Sequence, residues 1–432
     1  MKIVLIICLV SNLFAALGTD TIRRTYFIES SDSILYRPSP FWRVPLLKDA
    51  DPINLNHLNP IYGKESTASV TTVEVLTQTQ IPFPVLNQEA RQFRQQVRLR
   101  NQWIHRQVRD MRLFTYATDW QPQDLTGIHS HFVSQFKSLD IPVNSNATGE
   151  FTLPAWANLL FVSRRIVQSG PGSQIRAIQT GSDSKQNWAH LLFHTKAGLA
   201  KIKLVKPKPK AKVSILVDDV GYHGEGIRRY LKMNVPVTIS ILPFYDTSAH
   251  FAKRSRQLGF EVMLHMPMQA SFGSYYKYEN LIRPGLKPLD LIERTQNVLK
   301  AVPFILGVNN HEGSKATEDD MTMNLLMSEL SRHPYYFVDS VTSQKSVAYK
   351  YAKRYGIPAA RRNFDFLDND KRTLAIETKL EELIAYALNR PTRIVLSILH
   401  EKESTAIAVE NMLPEFRRQN IEILSPGDFL SR

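Results

Sequence analysis

The chain has 432 residues, of which 43% are hydrophobic and 22% charged. This composition excludes a mostly disordered chain, a collagen-like chain and a disulfide scaffold, and the length allows two or three domains. Lys and Arg outnumber Asp and Glu by 54 to 40, and Cys8 is the single cysteine.

Residues 1–18, MKIVLIICLVSNLFAALG, begin with one Lys, continue as an apolar run and end near small residues. This is the pattern of a secretory signal peptide, and the run is short for a bilayer span. The product is expected to be exported and, once the leader is removed, free of cysteine. The basic excess lies mostly before residue 213. Export argues against nucleic acid as a partner. Such charge suits an anionic envelope polymer, a membrane surface or simple solubility.

Residues 19–205 read as a basic α+β accessory region to which no activity is assigned. Apolar residues Phe93, Val97, Trp103, Ile104, Val108 and Leu113 predict a helix over 89–114, with arginines over much of the remaining surface. A second helix is expected at 156–167, and strands at 175–180, 189–194 and 199–205. The stretch KPKPKAK at 206–212 alternates Lys and Pro. It disfavours a helix and repels itself, so an extended linker is expected there.

From 213 to 432 short apolar runs alternate with longer amphipathic ones. Strands are predicted at 213–217, 237–241, 260–264, 304–308, 335–338, 358–360, 394–399 and 421–424. Helices are predicted at 224–233, 247–258, 288–300, 318–332, 344–355, 373–389 and 404–419. This rhythm means a parallel sheet covered by helices. Seven or eight repeats fit a small β/α barrel, with an open doubly wound sheet as the alternative. In both, reactive groups belong at the carboxyl ends of the strands.

The residues expected just past those ends are Asp218, Asp219, His265, Asn309, Asn310, His311 and Asp339, while His400 ends the seventh strand. Carboxylates and imidazoles gathered on one rim suit a divalent cation, with zinc favoured by nitrogen and oxygen donors. One Asp of an adjacent pair can hold the metal while the other accepts a proton from water. A His across the site can protonate a leaving group. The set points to metal-assisted hydrolysis of an amide or ester. Tyr222, Phe244, Tyr245 and the 272–278 stretch offer stacking surfaces for sugar rings or ordinary packing.

Six segments carry a resemblance: ILVDDVGY (215–222), PVTISILPF (236–244), GFEVMLHMPM (259–268), LGVNNHEGS (306–314), FVDS (337–340) and FLDND (366–370). In this order they resemble the divergent polysaccharide deacetylase family, a distant branch of the chitin and peptidoglycan deacetylases. The resemblance implies a distorted (β/α)7–8 barrel over about 211–430, in a bacterial envelope protein that is periplasmic or extracellular. It implies Asp218 as catalytic base, His400 as general acid and Asp219, His265 and His311 as ligands of Zn2+ or another divalent metal. Asp339 would be a supporting group on the rim, with Asn309, Asn310 and Tyr222 as supporting or substrate residues. The implied reaction removes acetyl groups from an N-acetylated glycan or peptidoglycan-like substrate. The sequence departs from the family pattern at Gln269, at Glu312 and at Glu401-Lys402-Glu403. A catalytically weak or inactive glycan-binding scaffold of the same fold is the alternative.

Overall fold

The computed structural model describes residues 22–27, 126–146, 149–167, 175–195, 198–222, 224–272 and 279–430. The expected leader at 1–18, the predicted helix at 89–114 and the aromatic residues at 273–278 lie outside the described residues. Among the described residues, no helix is long and apolar enough to cross a membrane.

The accessory region contains β1 (Ile22–Phe27), α1 (Thr126–Ser138), β2 (Asn144–Ser145), β3 (Glu150–Thr152), α2 (Leu159–Val167), β4 (Ile175–Ser182), β5 (Gln186–Thr195) and β6 (Gly198–Pro207). Its strands make one mixed sheet in the order β1–β4–β5–β6–β3–β2. Phe132, Phe136, Phe151, Val162, Ile166, Leu191 and Leu204 fill the space between this sheet and its helices. Helix α2 starts three residues later than periodicity predicts. The Asn158 side chain accepts a hydrogen bond from the Phe161 amide at 2.7 Å and caps the helix there.

Residues 206–212 divide between the end of β6, a three-residue connection and the start of the next strand. Lys206 is buried, and its ammonium meets the Glu422 carboxylate at 2.8 Å and donates to the Ala155 carbonyl at 3.0 Å. Helix α2 also packs on the following half of the chain. Phe161 meets Phe260 edge-on, Arg164 pairs with Asp428 at 3.3 Å, and Asn158 donates to Asp428 at 3.0 Å.

The second half alternates strand and helix as the sequence predicts. Its elements are β7 (Ala211–Val220), α3 (Glu225–Tyr230), β8 (Thr238–Ile241), α4 (Ser248–Gln257), β9 (Glu261–Met268), α5 (Pro288–Ala301) and β10 (Gly307–Glu312). They continue with α6 (Asp320–Leu330), β11 (Tyr336–Asp339), α7 (Ala348–Arg354), β12 (Ala359–Arg361), α8 (Thr373–Leu388), β13 (Ile394–His400), α9 (Glu403–Arg418), β14 (Ile421–Ile423) and α10 (Pro426–Leu430). Seven parallel strands follow the order β12–β11–β10–β9–β8–β7–β13, and β14 pairs with the start of β7. The gap between β12 and β13 is crossed by the backbone amides of Asn363, Phe364 and Leu367, which donate to carbonyls of β13. The sheet is therefore a nearly closed barrel, not an open doubly wound sheet.

Successive strand residues face opposite sides. Val213, Ile215 and Val217 enter the large core under the helices, whereas Leu216 joins Met263, Tyr336, Val338, Leu396 and Ile398 inside the barrel. Gly307 lies on this crowded inner wall. A Cβ there would sit 2.2 Å from the Tyr336 ring. Asp218, Asp219, His265, Asn309, Asn310, His311 and Asp339 lie inside their strands, not after them as predicted, whereas His400 ends β13 as predicted. Apolar runs end at the first polar side chain, but the strand continues through buried, hydrogen-bonded polar groups.

Candidate metal centre

The same alternation that puts Leu216, Met263 and Ile398 inside the barrel puts Asp218, His265 and His400 above them. Register completes the layer. Asp218 pairs with His400 across β7 and β13, and His265 pairs with Asn309 across β9 and β10. β7 thus has His400 on the neighbouring strand to one side and His265 two strands away on the other. Asp219 would point outwards in regular strand geometry. A left-handed backbone, φ 65°, with a register irregularity between Val217 and Val220, turns it onto the rim. Asp tolerates this region better than most residues.

His265 Nε2 lies 3.2 Å and His311 Nδ1 3.0 Å from Asp219 Oδ1, and the two rings meet edge-on at 4.8 Å. One donor atom from each residue falls within 4.8 Å of the others. Two ligands about 2.0–2.1 Å from a tetrahedral zinc ion are about 3.3 Å apart, so the two separations fit a shared cation. Asp219 Oδ1 is buried and accepts no hydrogen bond of normal geometry despite these neighbours. A cation placed between that oxygen and the imidazole nitrogens would satisfy it. The residues therefore form a candidate three-ligand metal site.

Asn309 organises the layer beneath. Its Nδ2 donates to both Asp218 oxygens at 3.0 Å and to Ser340 Oγ at 3.1 Å. Its Oδ1 accepts from Ser240 Oγ at 2.6 Å and from His265 Nδ1 at 3.1 Å. An amide oxygen only accepts, so the proton of His265 sits on Nδ1 and the Nε2 lone pair faces Asp219.

Electrostatics separates the two aspartates. Burial pushes the Asp218 carboxyl above the usual range, against the pull of His265 and His400. Burial also opposes the Asp219 anion, but the adjoining His265 and His311 rings outweigh it and hold that carboxyl well below the usual range. Burial would lower His265, yet Asp218 and Asp219 raise it, so a cation bound there would compete with a proton for its Nε2.

His400 Nδ1 lies 3.0 Å and 3.1 Å from the two oxygens of buried Asp368, whose Oδ2 also accepts from the His400 amide. Burial would lower the imidazole, but the Asp368 hydrogen bonds and charge push it up to about 9. The ring stacks on Phe366, which carries the Arg362 guanidinium 3.9 Å from its centroid. Asp368 lies in the FLDND segment, but no role could be assigned to it from sequence. Its partnership with His400 spans 32 residues and depends on the irregular segment beside β13.

Other expected residues play different parts. Asn310 binds the Glu312 carbonyl, Thr342 and the Ser340 amide, so it ties two strand ends together. Asp339 is buried, and its oxygens accept from the Val341 amide and Ser346 Oγ. It shapes the loop after β11. Tyr222 is half-exposed and meets Tyr245 edge-on at 5.4 Å. Gln269 holds neighbouring loops through its backbone: the amide donates to Ile282 and the carbonyl accepts from Lys315 and Ala316. Glu401 and Lys402, which depart from the family pattern, have clear partners. Glu401 accepts from the Gly224 and Ile227 amides, and Lys402 reaches Asp368 at 3.3 Å.

Backbone strain gathers on this rim. Asp219, Phe244, Glu312 and Val341 all have positive φ, between 50° and 67°, near the ends of β7, β8, β10 and β11. Each such residue costs about 1–3 kcal/mol, and such positions concentrate at functional sites.

A family profile described as divergent polysaccharide deacetylase matches residues 215–430. The uncharacterized protein YibQ of Escherichia coli strain K12 is 27% identical over 214 residues, covering 50% of this chain and 66% of YibQ. An uncharacterized protein of Haemophilus influenzae is 29% identical over 223 residues, covering 51% of this chain and 76% of the relative. The chain thus spans 66% of the length of the first of these relatives. Among solved structures, the uncharacterized protein ATU2773 of Agrobacterium tumefaciens C58 is similar with 18% identity and a TM-score of 0.47, over 50% of this chain and 88% of the other. A mutant of BA3943, described as a CE4 family pseudoenzyme with restored enzymatic activity, shows 13% identity and a TM-score of 0.33, over 58% of this chain and 87% of the other.

Proposed function

The chain belongs to the divergent polysaccharide deacetylase family, and from that membership we propose that it is an exported, metal-dependent hydrolase that removes acetyl groups from an N-acetylated polysaccharide or cell-wall glycan. The observation that carries the reading is the meeting of Asp219, His265 and His311 around a buried carboxylate oxygen, with Asp218 and His400 on the paired strands beside it.

Asp219, His265 and His311 would hold the cation, and two imidazoles with one carboxylate suit zinc with a further coordination position open. When bound, the cation would supply the positive charge that polarises an acyl carbonyl and acidifies water. Asp218, raised by burial and oriented by Asn309, accepts the proton of that water. His400, kept cationic by Asp368, donates a proton to the departing amine. The half-exposed Tyr222 and Phe244 flank the rim and suit the apolar faces of sugar rings.

The leader pattern at 1–18 supports export to a bacterial periplasm or the exterior. The basic residues before 213 suit contact with an anionic envelope polymer or membrane surface.

An inactive glycan-binding protein is the second reading, favoured by Gln269 four residues after His265, where the deacetylases proper have another His. Metal analysis separates the two. The hydrolase reading expects about one zinc per purified chain, lost in Asp219→Ala, and acetate release from chitin oligomers or peptidoglycan, lost in Asp218→Asn. A folded wild-type chain that binds no divalent metal sinks the hydrolase and leaves the binding protein.

A further inference from the structure

Helix α3 has no cap of its own. Gly224 precedes it with φ 87° and offers no side chain, so the first amides of the helix need an acceptor from elsewhere. Glu401, directly after β13, provides it. Its buried carboxylate accepts from the Ile227 amide at 2.7 Å and the Gly224 amide at 3.2 Å. The backbone amide of the same residue donates to the Asp218 carbonyl at 2.8 Å. Glu401 thus grips the chain on both sides of Asp219: one residue before it, and again at the start of α3. Gly226 makes the close approach possible, since a Cβ there would lie 2.5 Å from the Lys402 carbonyl oxygen.

A non-glycine residue stays in the left-handed region only when its surroundings over-determine it. Asp219 has that backbone, and its carboxylate is the atom group around which His265 and His311 gather. We propose that Glu401 is a positioning residue: it holds Asp218 on one side and Gly224 and Ile227 on the other so that Asp219 presents its carboxylate to the metal site before any cation arrives. The departure from the family pattern just after His400 is then a support for the metal site and no sign of its decay. The metal-binding part of this inference rests on the proposed function; the clamp itself does not.

Glu401→Gln keeps the volume but replaces one acceptor oxygen with an amide that cannot accept. Gly226→Ala disturbs the same contact from the other side. Glu410→Gln, which removes one of two exposed Arg229 partners on the same pair of helices, is the control. In metal-free protein, hydrogen exchange of peptides covering 219–227 is expected to speed up in the first two variants and not in the control, with the strands unaffected. Zinc titration of the whole chain is expected to show affinity lower by about 10–100-fold in those variants, the usual range for outer-shell partners. Unchanged exchange in Glu401→Gln overturns the clamp. Faster exchange with wild-type zinc affinity overturns its link to the metal site. A wild type that binds no zinc but shows the exchange difference overturns the metal reading and keeps the clamp.

Discussion

Asn309 donates to both carboxylate oxygens of Asp218 at 3.0 Å. The same amide accepts from His265, so the expected base and an expected ligand share one buried partner. Asn309→Ala removes the donors from a buried anion and releases the His265 tautomer. Zinc affinity should fall by about 10–100-fold, and the acid limb of the pH–activity profile should move to higher pH as Asp218 becomes harder to ionise. Isothermal titration and an acetate-release profile check the two effects, and wild-type values for both would refute this account of Asn309.

Asp368 raises the proton affinity of His400. Activity that needs a cationic His400 is lost in the wild type as pH rises through about 9. In Asp368→Asn the charge is gone, and the loss should move towards the ordinary histidine range near 6.5. The sign for stability is the same. The raised imidazole contributes stability that is fully present below its unfolded pKa and disappears as pH rises through the folded one. NMR titration of the His400 ring gives the shift directly. A titration midpoint equal in wild type and variant would be inconsistent with the ion pair.

Glu261 is buried at the start of β9. Its Oε1 accepts from Tyr336 Oη at 2.6 Å and the Gly427 amide at 2.8 Å. Burial, helped by Asp428 and opposed by Arg164, pushes its carboxyl up to about 7 from 4.5. The folded chain therefore keeps a proton that the unfolded chain releases, and stability should fall between about pH 4.5 and 7 and then level. The expected drop is on the order of 3 kcal/mol. Glu261→Gln imitates the protonated side chain and should flatten this slope in urea denaturation. An unchanged slope would mean that Glu261 titrates alike in both states.

Arg164 and Asp428 form a buried pair between α2 and the last turn of the barrel. Removing one partner strands the other charge. Arg164→Ala should cost about 3–5 kcal/mol, read from the urea midpoint. A chain beginning at Ala211 loses Asn158, Arg164 and Lys206 together and should be less stable still. A cooperative, wild-type-like unfolding curve for that shorter chain would show the contacts to be dispensable.

The barrel was legible in the sequence because its strands are short, apolar and separated by helical periodicity. Asp218, Asp219, His265 and His400 were legible because polar residues end those apolar runs. The partnerships were not. Asn309 looks like any loop amide until register sets it opposite His265. Asp368 looks like a turn residue until the segment after β12 folds onto β13. Glu401 looks like a surface acid because the amides it caps lie 174 and 177 residues earlier in the chain, where local sequence rules do not reach. The start of β10 was misplaced for a local reason. Phe304 and Ile305 extend the apolar run, but Phe304 has φ 64° and cannot continue a strand.

The seam beside β13 gives the barrel two walls built in different ways. From β7 to β11 neighbouring strands are held by parallel ladders, with one irregularity between Val217 and Val220, and the three candidate metal ligands belong to that wall. Asp368 rides instead on a segment joined to β13 by backbone amides and by the side chains of Asn363 and Ser397. Substitutions in that segment would reach His400 through Asp368 and not through the ladders that hold the candidate ligands.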